Sequence, residues 1–546
     1  MDVLLLLAAW CWAAVALVGL GARLCRWLDF SPARASWLHW FWSGVAVWVA
    51  LAQVAHLFVP VNGWLPLCLM PVALYEWRRG ELWAGRPRLS GTAWGLAAAG
   101  AGATLGYMVL MSLQPCDATD TGLYFVQSTL WARDFAVVPG LGNLNPFLST
   151  NHSYFLWVSS WSLGPFFERP WVIANGVLCL GVVLPAVLAL AQLVTSPSAA
   201  DPAWLLLVMV LAPLADIVNT QVASPVADVA VAATQGLLAL WLATACVRRP
   251  SAAEATWMSG LAVLAATLKL AAAFAPLVVF VLCGWTLLRE RARPTQALLW
   301  CGVPGVAWLV HGYVLSGYPI YPFPIGSLPV DWRVPHEIAR AYQAVSSAQY
   351  HQGTWFDPSG TPMPDWPLHW LANHWLDNKT FVLPVAGLVL GALGLLAARL
   401  RRRALPAAER YLAWASAAVA IWFVAAPEVR FAQVFCWLAG FGSWAWLWPD
   451  DRVGRRSWAV GVLVLVAGMG WPPHRPIARW EASLPPPPVS PSLSPATLTT
   501  GERIWVGGSG CYLYPCAYSF HPQLRLRRPG QLASGFALEP DDRQFP

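Results

Sequence analysis

Charge is what this chain has least of. Of its 546 residues only 11% are Asp, Glu, Lys or Arg, less than half the roughly 25% usual for a soluble domain. A soluble protein of this length needs several cores, and more charged surface than these residues supply. Lysine is nearly absent, with two residues against 32 arginines. The net charge of +7 is scattered in short clusters and forms no basic domain, which argues against a nucleic-acid partner. The sequence has no Walker loop, no Gly-rich turn between strand and helix, and no nucleophile elbow. CxxC pairs and Cys/His zinc spacings are also missing. So is the strict polar–apolar alternation of a membrane barrel.

What fills the chain is apolar. Hydrophobic residues make up 58%, aromatics 13%, and Trp alone occurs 36 times; the mean hydropathy is +0.52. Runs of about 20 apolar residues cross a bilayer as helices, because lipid offers backbone groups no other partner. Fourteen such runs are read between residues 3 and 471, of which the third (64–77) and eighth (257–268) are short enough to be tilted or re-entrant. The first lacks a basic leading segment and is followed by further spans, so it reads as an anchor. The expected fold is an all-α polytopic transmembrane protein with the lipid bilayer as its first partner.

Arginines give the orientation, since basic clusters stay cytoplasmic. Arg23 and Arg26, Arg78 and Arg79, Arg248 and Arg249, Arg289 to Arg293, Arg399 to Arg403, and Arg452 to Arg456 all fall on one side of the fourteen-span order. The other side receives two large loops, 114–170 and 316–380, and the tail 472–546. Three parts follow: a three-helix N-terminal membrane segment (1–91), a transmembrane core (92–471), and a Pro-rich linker with a small extracytoplasmic module (472–546). The tail begins with a polyproline tether at Leu484 to Pro491, and Ile504-Trp-Val and Tyr512-Leu-Tyr read as its strands. Cys511 and Cys516 share that tail, where an oxidising compartment favours a disulfide.

Where charges are scarce, each one at the outer boundary is a candidate. Asp117 and Asp120 follow the fourth span directly, at the start of a stretch with Leu123, Val126, Leu130 and Trp131 at helical spacing. That pattern reads as an amphipathic helix on the membrane surface. Asp120 is then either its N-cap or a carboxylate at a cavity mouth, able to take a proton or, with Asp117, hold a divalent cation such as Mg or Mn. Asp216 and Asp228 flank a short outer turn, as helix caps or as a further acidic site. Lys269 sits at the outer turn of a hairpin and either snorkels or meets a lipid phosphate. Arg430, in Ala-Pro-Glu-Val-Arg-Phe, pairs with Glu428 or forks onto phosphate oxygens.

Asp120-Thr-Gly-Leu-Tyr, Val138-Pro-Gly-Leu-Gly-Asn, Tyr318-Pro-Ile-Tyr-Pro with Leu328-Pro-Val-Asp-Trp, and Arg430-Phe-Ala together resemble a family of bacterial GT-C-like membrane proteins that has no assigned reaction. The late Cys511…Cys516 and Gly535-Phe segments are similar to its C-terminal end. The resemblance runs from about Met111 onward. It implies a GT-C-like core in the bacterial inner (cytoplasmic) membrane with an extracytoplasmic active face. Polyprenyl-phosphate-linked sugars would be the donors, and a glycan, lipid or protein the acceptor. It places the catalytic acid at Asp120, with Asp117 beside it. Transfer also needs cations on the departing phosphate, and Arg430 and Lys269 are groups of that type. Two departures stand out: Phe125 replaces the His expected after Gly-Leu-Tyr, and three spans precede the core. A polymerase or ligase moving a whole lipid-linked glycan, a non-catalytic relative and a transporter are the competing readings. A transporter would carry its charges near the bilayer midplane instead.

The orientation has a direct check. Cysteines introduced into 114–170, 316–380 or 472–546 are expected to react with an impermeant maleimide from outside, and those beside Arg289 or Arg401 are not. A cytoplasmic tail would contradict the assignment.

Overall fold

The computed structural model describes residues 2–30, 36–80, 82, 89–116, 118–196, 201–290, 294–352, 365–374, 381–470 and 493–539. Helices α1 (Asp2–Trp27), α2 (Trp37–His56), α3 (Trp64–Arg78) and α4 (Gly91–Ser112) lead into the first large loop. That loop holds α5 (Phe125–Asp134), α6 (Leu141–Leu144) and α7 (Tyr154–Ser159). Then come α8 (Trp171–Thr195), α9 (Pro202–Met209), α10 (Leu211–Gln221), α11 (Asp228–Val247), α12 (Ala252–Leu268), α13 (Phe274–Arg289) and α14 (Pro294–Ser316). The second loop contributes α15 (His336–Gln352) and α16 (Trp366–His374). The last helices are α17 (Leu383–Leu400), α18 (Pro406–Ala425), α19 (Gln433–Gly442), α20 (Trp444–Leu447) and α21 (Arg452–Gly470).

Among the described residues nine helices are long and apolar enough to cross a bilayer: α1, α2, α4, α8, α9 with α10, α11, α14, α17 and α21. Their outer faces are apolar too, with Leu299, Val306, Leu390, Val460 and Val464 all exposed, as a helical membrane protein requires. The fourteen-span count is not reached by this measure. The other five expected spans fall on helices that are short (α3, α12, α13), interrupted (α19 and α20 meet at Ser443), or carry Glu409 and Arg410 near their start (α18).

Several helices start on side-chain caps that satisfy their first N–H groups. Ser90 accepts from Ala93 at the head of α4, Asp201 from Ala203 at α9, and Ser251 with Glu254 forms a capping box at α12. Helix α11 is the axle: over an 18-residue stretch 89% of it is buried. It packs against α8, α9, α10, α12, α13, α18 and α19. Helix α1 packs against both α2 and α3, and α2 also meets α7, α12 and α14. Gly21 and Gly44 let α1 and α2 touch backbone to backbone, since a Cβ on Gly21 would lie 1.6 Å from the Trp40 carbonyl oxygen.

The tail folds as short strands, β1 (Ser494–Thr497), β2 (Arg503–Val506), β3 (Cys516–Ala517), β4 (Leu524–Leu526) and β5 (Phe536–Leu538). β2 runs antiparallel to β1 and parallel to β3, while β4 and β5 form an antiparallel pair. Ile504 to Val506 is the expected strand. Tyr512-Leu-Tyr is not a strand, because Tyr514 turns away to donate to Asp134 Oδ2 at 2.5 Å and to lie 4.9 Å from the Trp131 ring. Cys511 and Cys516 are joined as a disulfide with their Cα atoms 5.7 Å apart. The polyproline tether lies outside the described residues.

This module is docked onto the first loop. Phe536 donates its N–H to Pro139 at 2.9 Å, and Asn143 Nδ2 donates to the Phe536 carbonyl at 3.2 Å. The contact is possible because Gly140 and Gly535 take φ of +65° and +91°, where a Cβ would also strike the opposing carbonyl at about 2 Å. Gly535→Val is therefore expected to release the tail, exposing 493–539 to limited proteolysis while the helices remain intact. Tyr514→Phe removes one hydrogen bond, worth about 1 kcal/mol, and should accelerate the same cleavage modestly. Wild-type protease resistance of Gly535→Val would rule out this docking.

Candidate functional site

Four charged residues from four segments meet at the loop end of the bundle. Asp120 lies inside a single 3-10 turn, Thr119–Thr121, whose N-cap is Ala118. Its carbonyl accepts from the N–H groups of Leu123 and Tyr124 at 3.2 and 3.1 Å, and its side chain caps no helix. The N-cap reading of Asp120 is thereby corrected. The helix expected from this position begins later, as α5 at Phe125, with Tyr124 as its N-cap. It is not a surface helix either: Phe125, Val126, Gln127, Thr129 and Trp131 are buried, because α7 and the tail cover it.

Arg430 reaches Asp120 from the turn Val429–Phe431. Its Nη1 donates to Asp120 Oδ2 at 3.2 Å across 310 residues of sequence, and its Nε lies 3.8 Å from Glu428 Oε1. This pair borders solvent, with the Arg430 side chain 37% exposed and Asp120 16%. Behind it lies a second pair. Lys269 ends α12 and donates through Nζ to Asp228 Oδ1 on the first turn of α11. Both side chains are sealed, at 6% and 2% exposure. Lys269 Nζ stands 4.0 Å over the Phe431 ring, a cation–π contact that Arg430 makes more loosely from 5.3 Å. Phe431 thus touches cations of both pairs.

Snorkelling does not describe Lys269, which is inside the protein and paired. Asp228 is the first residue of α11, after the N-cap Ala227, and its side chain serves Lys269. Asp216 lies apart from these pairs, on α10, where its Oδ2 accepts from Gln433 Nε2 at 2.8 Å. Asp117 lies outside the described residues. Among the described residues no group of three or more His, Cys, Asp or Glu is arranged to hold a metal. The donor set fits a divalent cation poorly, since Asp120 and Asp228 each face a cationic side chain.

Residues that the sequence did not single out complete the wall. Tyr124 stacks on Phe147 at 5.6 Å and lies edge-on to Phe155 at 5.9 Å and His152 at 6.2 Å. Tyr350 meets the Phe431 ring at 5.4 Å. Burial first, and the charge of Asp120 second, push the Tyr124 hydroxyl well above its ordinary range. Burial pushes Tyr350 up to about 12 despite Arg430. Burial and then Lys269 hold the His152 imidazole down to about 3. Burial works against the Arg430 charge, but Asp228, Asp120 and Glu428 outweigh it and raise its pKa. At neutral pH the site therefore offers neutral Tyr and His donors around a fixed guanidinium. Tyr124 follows Asp120 by four residues and lay within the motif, whereas nothing in the pattern around Tyr350 distinguishes it from other aromatics.

A family model described as a domain of unknown function, DUF8201, matches residues 3–437, which run from the second residue of α1 past the end of α18 and include every charged residue of the two pairs. No curated protein and no solved structure matches the chain.

The buried pair yields a stability test. Asp228→Leu strands the Lys269 charge in an apolar surrounding and is expected to cost about 3–5 kcal/mol. Adding Lys269→Met removes that charge and should recover much of the loss. Thermal unfolding of the detergent-solubilised single and double variants reads the difference, and strictly additive effects would mean the two side chains are not coupled.

Proposed function

The chain belongs to the DUF8201 family, and we propose that this member is a membrane glycosyltransferase working from a polyprenyl-phosphate-linked sugar. The acceptor is a glycan, lipid or protein on the extracytoplasmic face of a bacterial inner membrane, in the synthesis of cell-surface glycans or glycolipids. One observation carries the reading: a half-exposed carboxylate–guanidinium pair, Asp120 and Arg430, set at the loop end of a membrane bundle and backed by the sealed Lys269–Asp228 pair. The fourteen-span order with arginines inside would put this end outside the cell.

The chemistry follows from what those groups are. Outside the cytoplasm a sugar donor has to be lipid-borne, and its phosphate carries negative charge that a guanidinium fork matches. A phosphate on Arg430 competes with Asp120 for the same N–H groups. As Arg430 turns to the phosphate, the Asp120 oxygen is released to accept the proton of an acceptor hydroxyl. The acceptor oxygen then forms its bond to the anomeric carbon as the carbon–phosphate-oxygen bond breaks. The electron pair leaves on the polyprenyl phosphate, whose growing charge Arg430 meets. Lys269 is too deeply sealed to touch the donor directly; it fixes the potential and the position of Phe431 beneath Arg430.

Asp120→Asn keeps size and hydrogen bonding and removes the negative charge. Transfer from a lipid-linked donor in membranes is expected to fall by about two to four orders of magnitude, the usual scale of general-base catalysis, with expression and melting temperature preserved. Arg430→Lys keeps the charge without the fork and should lose less activity than Arg430→Ala. Full activity in well-folded Asp120→Asn protein would remove the carboxylate from the mechanism.

A further inference from the structure

The end of the bundle opposite the ion pairs carries a feature that sugar transfer does not use. A cleft of about 860 Å³ opens there, within the roughly 300–1,000 Å³ range of small-molecule sites. Its walls come from α1, α2, α4, α8, α9, α11 and α12 and are built from side chains such as Leu7, Trp10, Ala101, Leu184 and Leu237. Along α8 the lining runs from Val177 to Gln192, roughly 22 Å at 1.5 Å per residue. That exceeds the about 15 Å half-thickness of a hydrocarbon core.

Polarity is confined to one end of this cleft. The charged lining residues Asp201, Arg248 and Glu254, with Ser36, His39 and Gln192, all come from the helix ends that face the arginine clusters. Trp37, Trp94 and Trp204, each more than a third exposed, line the cleft near the same end, as aromatic side chains do at a membrane interface. The cleft is thus shaped for an amphiphile whose head sits at the interface and whose tails run inward between membrane helices. The charge pattern narrows the head group. Arg248 holds Glu254 through both terminal nitrogens, at 2.8 and 2.5 Å, and its side chain is still 48% exposed. Asp201 is exposed beside it, with one oxygen on the Ala203 N–H at 2.8 Å. Among the described lining residues two carboxylates stand against one guanidinium, which disfavours a head with net negative charge. A zwitterion satisfies both signs, with its phosphate on Arg248 and its ammonium on Asp201.

We propose that this cleft binds a zwitterionic diacyl phospholipid with a primary ammonium head, a phosphatidylethanolamine, as a resident lipid. The lipid fills space between α4 and the α8–α11–α12 group that side chains leave open, so its chains complete the packing there. The site is separate from the ion pairs and does not depend on the transfer chemistry.

The test uses the full chain reconstituted into nanodiscs of mixed phosphatidylethanolamine and phosphatidylglycerol, re-extracted in mild detergent and washed. Lipid retained per protein is counted by native mass spectrometry and chromatography. The wild type is expected to keep about one phosphatidylethanolamine per chain, enriched severalfold over the bulk ratio. Ala98→Trp, which points bulk into the cleft from α4, should lower retention by about tenfold or more, and Ala101→Phe on the same wall is a second filling variant should the first unfold. Asp201→Asn should cut the preference for the ammonium lipid severalfold without emptying the cleft. Retained lipid that mirrors the bulk mixture, a wild-type preference for phosphatidylglycerol, or unchanged retention in a folded cleft-filling variant would each overturn the proposal.

Discussion

A lysine sealed among membrane helices needs a counter-charge, and much of the site's geometry answers to that need. Removing water from an ammonium costs several kcal/mol, which an isolated Lys269 would lose by neutralising or by leaving the interior. Asp228 supplies the charge, so the start of α11 and the end of α12 are held together. Phe431 closes over the ammonium with its ring face. Arg430 precedes that ring in the chain, lies 5.3 Å from its centre, and meets Asp120. The two pairs thus meet at one ring.

The same logic explains why the site was partly readable. In a chain with so few charges, Asp120, Asp228, Lys269 and Arg430 each stand out against an apolar background, and the spans that carry them follow from run length. Their pairing was not readable. Separations of 310 and 41 residues have no period, and Lys269 was equally consistent with an ammonium reaching for the interface. Asp216 looked equivalent to Asp228, yet one binds an amide and the other an ammonium, because of which helix face each occupies.

The first loop misled for a related reason. Leu123, Val126, Leu130 and Trp131 do form an apolar stripe, and an apolar stripe beside a membrane suggests lipid contact. Its cover is protein instead, including Tyr514 and Phe536 from the far end of the chain. The short Gly140-Leu-Gly and Gly507-Gly-Ser-Gly segments carry no pattern that tells what they touch. Gly140 proves to be where a strand passes close enough to exclude a Cβ, and Ser509 presses its carbonyl oxygen against Gly122, two residues from Asp120.

That last contact imposes an order on biosynthesis. The segment that backs the Asp120 turn, Gly508–Gly510, comes after α21 in the chain, so it reaches the first loop only after helices α5 to α21 have been made. Through most of translation the loop waits uncovered, with α5 lacking the rings of Tyr514 and Phe536. A chain cut between α21 and β1 would hold helices α1 to α21 and still present an unfinished loop. The loop end is thus finished by contacts of long sequence separation, and until the tail segment arrives α5 is a surface without its cover.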